Sequence, residues 1–254
     1  MLRTAGLTKR FGGLVAVDEV DLSLEEDELC SLIGPNGAGK TTFFNLLTGH
    51  LEPDEGTIEF TVNGQWRDIT GAAPSEVAQL GVHRSFQVTN IFPTNTVLEN
   101  VRIASQANGP HSVKLWRNVG TFEEHEAEAY SILERVGLSE KAEQSADTLS
   151  HGEKRRLEIA ITLAGDPDLL LLDEPNAGVS TENVGEIIDL IETVAEEHAV
   201  LLVEHNMDIV MQVSERIVVL HRGEVIADDD PAAVRSDEAV QEAYLGGYDA
   251  RADA

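Results

Sequence analysis

Apolar residues fall along this chain in two different rhythms. Leu29–Ile33, the four leucines of Leu169–Leu172 and Ala199–Val203 are short, almost unbroken apolar runs. Runs of that length between polar residues read as strands covered on both faces. Leu14–Val20 with Asp21–Leu24, Thr57–Val62 before the Asn63-Gly64 turn, and Gly81–Phe86 read as further strands. Arg216–Leu220 and Glu224–Ala227 flank His221-Arg222-Gly223, the pattern of an antiparallel hairpin. Elsewhere the spacing is helical. A helix starts at Lys40. Glu123–Val136 carries Ala129, Ile132, Leu133 and Val136 at helical spacing, with Gly137 at the C-terminal cap. Thr181–His198 sets Val184, Ile187, Ile188, Ile191, Val194 and Ala195 in one stripe. The stretch from about Val88 to Ala164 is helical in character, with a loop over Ala107–Gly120. Strand and helix in alternation predict an α/β fold around a mostly parallel sheet. The helical middle reads as a lobe inserted between strands of that sheet. Within one domain of residues 1–254, the division expected is a core lobe of 1–87 and 165–254 and a helical lobe of 88–164.

Composition changes this picture in one respect. Hydrophobic residues make up 42% of the 254, enough for a sizeable interior. No run approaches the ~18 apolar residues of a membrane span, and the N-terminus has no signal-peptide core, which points to the cytoplasm. The one cysteine, Cys30, lies in an apolar run and reads as a buried thiol. The charge is the unusual feature: 46 Asp and Glu against 18 Lys and Arg, a formal net charge of −28. A broad basic surface for nucleic acid is therefore excluded, because phosphate contacts need cations. The acids are spread along the chain, as on the solvated surface of a folded domain. The expectation is a halophilic-like acidic surface, whose self-repulsion high salt relieves.

Three motifs carry chemistry. Gly34-Pro35-Asn36-Gly37-Ala38-Gly39-Lys40-Thr41, followed by Thr42, fits G-x-x-x-x-G-K-[ST] between a strand and a helix. Its glycines let the backbone turn N–H groups onto a phosphate, Lys40 brings positive charge to the β/γ oxygens, and the Thr41 hydroxyl suits Mg²⁺. The helix N-terminus adds a favourable dipole. Second, Asp173-Glu174 ends an apolar strand, the place for a carboxylate that holds Mg²⁺ and a neighbour that polarises water. Third, Leu149-Ser150-His151-Gly152-Glu153 opens a helix over Glu153–Ala164. Ser150 and Gly152 would present a hydroxyl and backbone N–H groups to an anion, and Ser150 with Glu153 forms a capping box. The Lys154-Arg155-Arg156 run that follows reads as a solvated helix face.

This third motif resembles the Leu-Ser-Gly-Gly-Gln signature of ABC transporter ATPases, with His151 and Glu153 in place of Gly and Gln. That resemblance implies a P-loop NTPase (RecA-like) core with a parallel sheet, an N-terminal antiparallel β subdomain and an inserted α-helical subdomain. It implies that Phe11 stacks on adenine, although a Phe beside Gly12-Gly13 also suits core packing. It makes Gln87 the Q-loop residue contacting Mg²⁺ and water, and His205 the switch histidine at the γ-phosphate. Glu174, His205 and Gln87 become the catalytic set, and Thr41, Gln87 and Asp173 the Mg²⁺ set. Ala177-Gly178-Val179-Ser180 matches the D-loop. Ser180 stands where Asp is common and suits a helix N-cap instead.

Arg84-Ser85-Phe86-Gln87, Ile91-Phe92-Pro93, Arg155-Arg156-Leu157-Glu158-Ile159-Ala160 and Ala243-Tyr244-Leu245-Gly246 are similar to branched-chain amino acid importers, LivG-type. The partners implied are a second ATPase subunit, identical or different, integral membrane permease subunits and, indirectly, an external solute-binding protein. The implied location is the inner face of the membrane, through the permease. Val88, Ile91, Phe92 and the stretch to Asn100 are the expected permease contact, with Trp116 a further candidate; the alternative is that these apolar residues pack within the helical lobe. Urea or amide importers share the Leu-Ser-His-Gly start. A non-transport ABC ATPase would bring coiled-coil insertions or a tandem half, and a P-loop kinase would lack the signature, Glu174 and His205.

Overall fold

The all-apolar runs become strands with every position buried, and these organise the rest. A computed structural model of the chain describes residues 1–85, 91–108, 120–179 and 184–249. In chain order the elements are β1 (Leu2–Phe11), β2 (Leu14–Leu24), β3 (Leu29–Ile33), α1 (Lys40–Leu47), β4 (Glu55–Val62), β5 (Gln65–Asp68), α2 (Pro74–Gln79) and β6 (Val82–Ser85). Then come α3 (Val97–Asn108), α4 (Gly120–Arg135), α5 (His151–Leu163), β7 (Leu169–Asp173), α6 (Val184–Ala195) and β8 (Ala199–Val203). The chain continues through α7 (Met207–Val213), β9 (Arg216–His221), β10 (Glu224–Asp229), α8 (Pro231–Ser236) and α9 (Glu238–Asp249). It divides into two compact units, one of Met1–Leu80 with Ala195–Ala254 and one of Gly81–Val194.

The first unit holds two sheets. One is antiparallel, in the order β2-β1-β4-β5. In the other, β3 lies between β8 and β9 and runs parallel to both, and β10 closes an antiparallel hairpin with β9. The hairpin expected around His221-Arg222-Gly223 is present, with Arg222 and Gly223 both at positive φ in the turn. Phe43 and Phe44 of α1 are fully buried. Ile33 packs with Val210, Ile217, Val219, Val234 and Val240, and Tyr244 lies against that cluster. Cys30 is fully buried, and burial pushes its thiol up to about 12.

Strand β1 is an element the hydrophobic pattern did not reveal. Its inward positions include Thr4 and Thr8, whose hydroxyls are satisfied internally. Thr4 Oγ1 donates to Val20 O and accepts from Leu22 N–H, each at 3.0 Å, and Thr8 Oγ1 accepts from Glu19 N–H at 3.0 Å. Gly6, at φ 58, and three register shifts against β2 break the alternation further.

In the second unit β6 and β7 pair in parallel, Ser85 opposite Leu172. Helices α3, α4 and α5 pack on one another. Helix α4 ends as expected at Gly137, φ 67, where Leu138 N–H reaches back to Leu133 O at 2.7 Å. The capping residue expected for the helix from Thr181, Ser180, lies outside the described residues, as do Gln87, Val88 and Trp116.

Candidate functional site

In the first unit the parallel strands β3 and β8 end side by side, Leu32 opposite Val203. The chain leaving β3 is the loop Gly34–Gly39 and the chain leaving β8 is Glu204-His205, so loop and histidine follow the same edge of one sheet. The loop's shape depends on glycine. Gly39 has φ 111, and a Cβ there would stand 2.2 Å from Ala16 O. Gly34 has φ 152, and its Cβ would stand 2.1 Å from Leu220 O. Gly39, the N-cap of α1, has no side chain with which to cap it, and the first turn of the helix contains no acid. The dipole at this helix start therefore favours an anion from outside the chain. Lys40, 6% exposed, folds its ammonium back onto the carbonyls of Gly34 at 2.5 Å and Pro35 at 3.2 Å. Behind the loop, burial pushes the Tyr244 phenol up to about 12, and it meets the Gly34 backbone. His205 is exposed, beside the buried Glu204. Phe11 ends β1 at the Gly12 turn and is 47% exposed, under the Lys9 ammonium at 5.8 Å; it is not a core residue.

In the second unit, Asp173 closes β7 and is 2% exposed. Its carboxylate takes a hydrogen bond from Arg84 Nη2 at 2.6 Å, a pair with both side chains buried. Its N–H donates to Ser85 Oγ at 3.3 Å. Strands β6 and β7 run in parallel register up to Ser85 opposite Leu172, so Ser85 lies at the end of the pair that carries Asp173. Glu174 turns the chain with φ 49, a left-handed conformation rarely held by a side chain of its kind.

The capping box read from Ser150 and Glu153 is present. Glu153 N–H donates to Ser150 Oγ at 3.3 Å, and Ser150 N–H to Glu153 Oε2 at 2.9 Å. Lys141 adds an ion pair to Glu153, and with these bonds it holds that carboxyl down at about 2. Ser150 is exposed and Gly152 buried at the start of α5. The Lys154-Arg155-Arg156 run is not a solvated face. Arg155 is 6% exposed, because its guanidinium is enclosed by backbone carbonyls and Glu158. Arg156 pairs with Glu186 at 3.4 Å. Arg84 and Arg155 are the site neighbours that the sequence did not reveal. Phe92 is 52% exposed, which removes the reading that it packs inside the helical lobe.

Residues 17–177 match the sequence model of the ABC transporter family, and residues 224–250 that of the branched-chain amino acid ATP-binding cassette transporter. The chain belongs to the ABC transporter family, as an ATP-binding protein of the branched-chain amino acid type. It is 41% identical to the high-affinity branched-chain amino acid transport ATP-binding protein LivG of Salmonella typhimurium, over 97% of this chain and 98% of that protein. A solved structure of MJ1267, an ATP-binding cassette of an ABC transporter in its ADP conformation, is similar with a TM-score of 0.83 and 33% identity, covering 97% of this chain and 98% of that one. A dimeric structure of MJ0796, a bacterial ABC transporter cassette, is similar with a TM-score of 0.75 and 26% identity, covering 91% and 99%. The antiparallel N-terminal sheet, the mixed core sheet and the helical insert are those of the ABC ATPase fold. No helix among the described residues is long and apolar enough to cross a membrane.

Proposed function

We propose that this chain hydrolyses ATP to energise an importer of branched-chain amino acids, working as a dimer on the inner face of the membrane beneath permease subunits. The observation that carries the reading is the Gly34–Thr41 loop: a helix start whose N-cap is glycine and whose first turn holds no acid, two glycines, Gly34 and Gly39, where backbone leaves no room for a Cβ, and a buried lysine. Gly34 to Thr42 cradle the phosphates, Lys40 swinging from the loop carbonyls to the β/γ oxygens, while the exposed Phe11 offers its ring to adenine. Thr41, Gln87 and Asp173 would hold Mg²⁺. All are oxygen donors, as a hard cation requires, with nucleotide oxygens and water completing the shell. When bound, the ion neutralises charge on the transferring phosphoryl group.

Glu174 orients and polarises the attacking water, and His205 steadies the γ-phosphate. Catalysis is then mostly positioning and electrostatics. Ser150 and Gly152 would meet the γ-phosphate bound by the other subunit, which makes an isolated subunit an incomplete enzyme. The dimer is formed with an identical or a related ATPase chain, and an external binding protein delivers solute to the permease. Residues 88–164 would act as the signature lobe on a core of 1–87 and 165–254, with the exposed Phe92 in the surface offered to the permease.

The variant Glu174→Gln tests the central assignment. It is expected to bind ATP, to accumulate as a nucleotide-bound dimer in size-exclusion chromatography, and to lose at least about 100-fold in turnover. Hydrolysis at the unaltered rate would remove Glu174 from the role.

A further inference from the structure

Helix α5 begins at the signature and carries Arg155 near its start. All three nitrogens of its guanidinium are engaged, two of them on one turn of backbone. Nη2 donates to Asp173 O and Glu174 O, each at 2.6 Å, and Nε to Pro175 O at 3.0 Å. Nη1 donates to Glu158 Oε2 at 2.6 Å, and both side chains of this pair are buried, 6% and 7% exposed. From the far side, Arg84 holds the Asp173 carboxylate. The middle residue of the gripped turn is Glu174, at φ 49. A left-handed conformation at a residue with a long side chain persists where its surroundings over-determine it. Three converging charge-assisted bonds from a planar, pre-organised fork do so.

We infer that Arg155 is a positioning residue for hydrolysis: by fastening the carbonyls of residues 173 to 175 it sets the strained backbone from which the Glu174 carboxylate reaches the attacking water. This rests on the assignment of Glu174 made above. The grip also joins that turn to the helix whose first turn carries Ser150 and Gly152, so a displacement of the signature helix is transmitted to the acid. The identity of the cation matters. A lysine ammonium is a compact charge on a flexible stem and cannot reproduce the fork.

The test is a double-mutant cycle on ATP hydrolysis. Arg155→Lys is expected to lower kcat by about 30- to 100-fold, the order of loss a misplacement near 1 Å produces, with KM for ATP within about threefold. In the Glu174→Gln background the same change is expected to cost no more than about threefold, because the carboxylate it positions is already gone. An unaltered kcat, a loss carried by KM, or an equal loss in both backgrounds would overturn the inference; wild-type turnover in Glu174→Gln alone would instead overturn the assignment of Glu174. Glu158→Gln is the second variant and does not depend on Arg155→Lys folding. It removes the paired charge, leaves the three carbonyl bonds, and is expected to keep kcat within about threefold. A tenfold or greater fall in kcat would show that the buried ion pair, not the grip on the turn, sets the rate, and would equally overturn the inference.

Discussion

Replacing Glu153 by Gln restores the residue common in the signature of this family, and it is expected to destabilise this chain. The Lys141 hydrogen bond, with help from the Ser150 backbone and hydroxyl and against some burial, takes the carboxyl from 4.5 to about 2. At about 1.4 kcal/mol per decade, that difference sets a ceiling near 3 kcal/mol. The Lys141 side chain is 38% exposed and that of Glu153 16%, so solvent screening reduces the figure to about 1 kcal/mol. The amide oxygen of the substituted side chain would still accept from Ser150 N–H, so what is lost is the charge and the hydrogen bond from Lys141. For a chain of this size about 1 kcal/mol is a fall of 2–4 °C in Tm. The folded value lies below the unfolded one, so the stabilisation is complete above about pH 4.5 and disappears as pH falls towards 2. The assay is urea unfolding of both proteins at about pH 7, 5.5 and 4, with an equal difference expected at the first two and a smaller one at the third. Removing one acid also relieves part of the general repulsion, and Glu192→Gln, at an exposed position on α6, measures that term. Once it is subtracted, equal stability at pH 7, or a gap that widens on acidification, would refute the reasoning.

Two further outcomes are expected. Asn100, 1% exposed, accepts from Phe92 N–H at 2.7 Å and donates to Phe92 O at 3.0 Å and Thr96 O at 2.8 Å. Asn100→Ala strands those groups, at a cost of about 2 kcal/mol in chemical unfolding. It also loosens the segment that the proposed function assigns to the permease, so transport measured in vesicles is expected to fall further than ATP hydrolysis. Separately, Tm should rise by several degrees between about 0.1 and 2 M KCl as screening shortens the reach of the −28 net charge; a flat or falling Tm would exclude the saline adaptation.

How much was legible in the sequence depended on whether burial coincided with apolarity. Strands β3, β7 and β8 are buried at every position and apolar at nearly all of them, and each was readable. Strand β1 is equally central to its sheet, yet its interior holds threonines satisfied by cross-strand bonds to β2, and Gly6 interrupts the alternation. Its pairing with β4, Leu2 opposite Phe60, is a long-range fact that no local period encodes. Short α2 buries Val77 alone, too little for a helical stripe. The phosphate loop and the capping box were legible because backbone chemistry demands particular residues at fixed local spacing.

The arginines were hidden for the opposite reason. A cation is ordinarily solvated, and three in a row on a helix read as a wet surface. Arg155 is buried because its partners are the carbonyls of Asp173 and Glu174, 18 and 19 residues further along, and carbonyls carry no sequence label. His151, Arg155, Glu158 and Thr162 fall at i, i+4, i+7 and i+11, a polar stripe along α5 that hides the burial of the arginine. Glu158, three residues on, is the one partner that the local spacing offers it. The same logic applies to Arg84, which precedes the Q-loop position by three residues on a strand whose neighbour ends in Asp173. Both hidden cations are spent on the acid-bearing turn, in a chain that carries 18 cations against 46 acids. With cations that scarce, a buried one whose bonds end on the site marks a demand for geometry, since exposed pairs contribute little to stability.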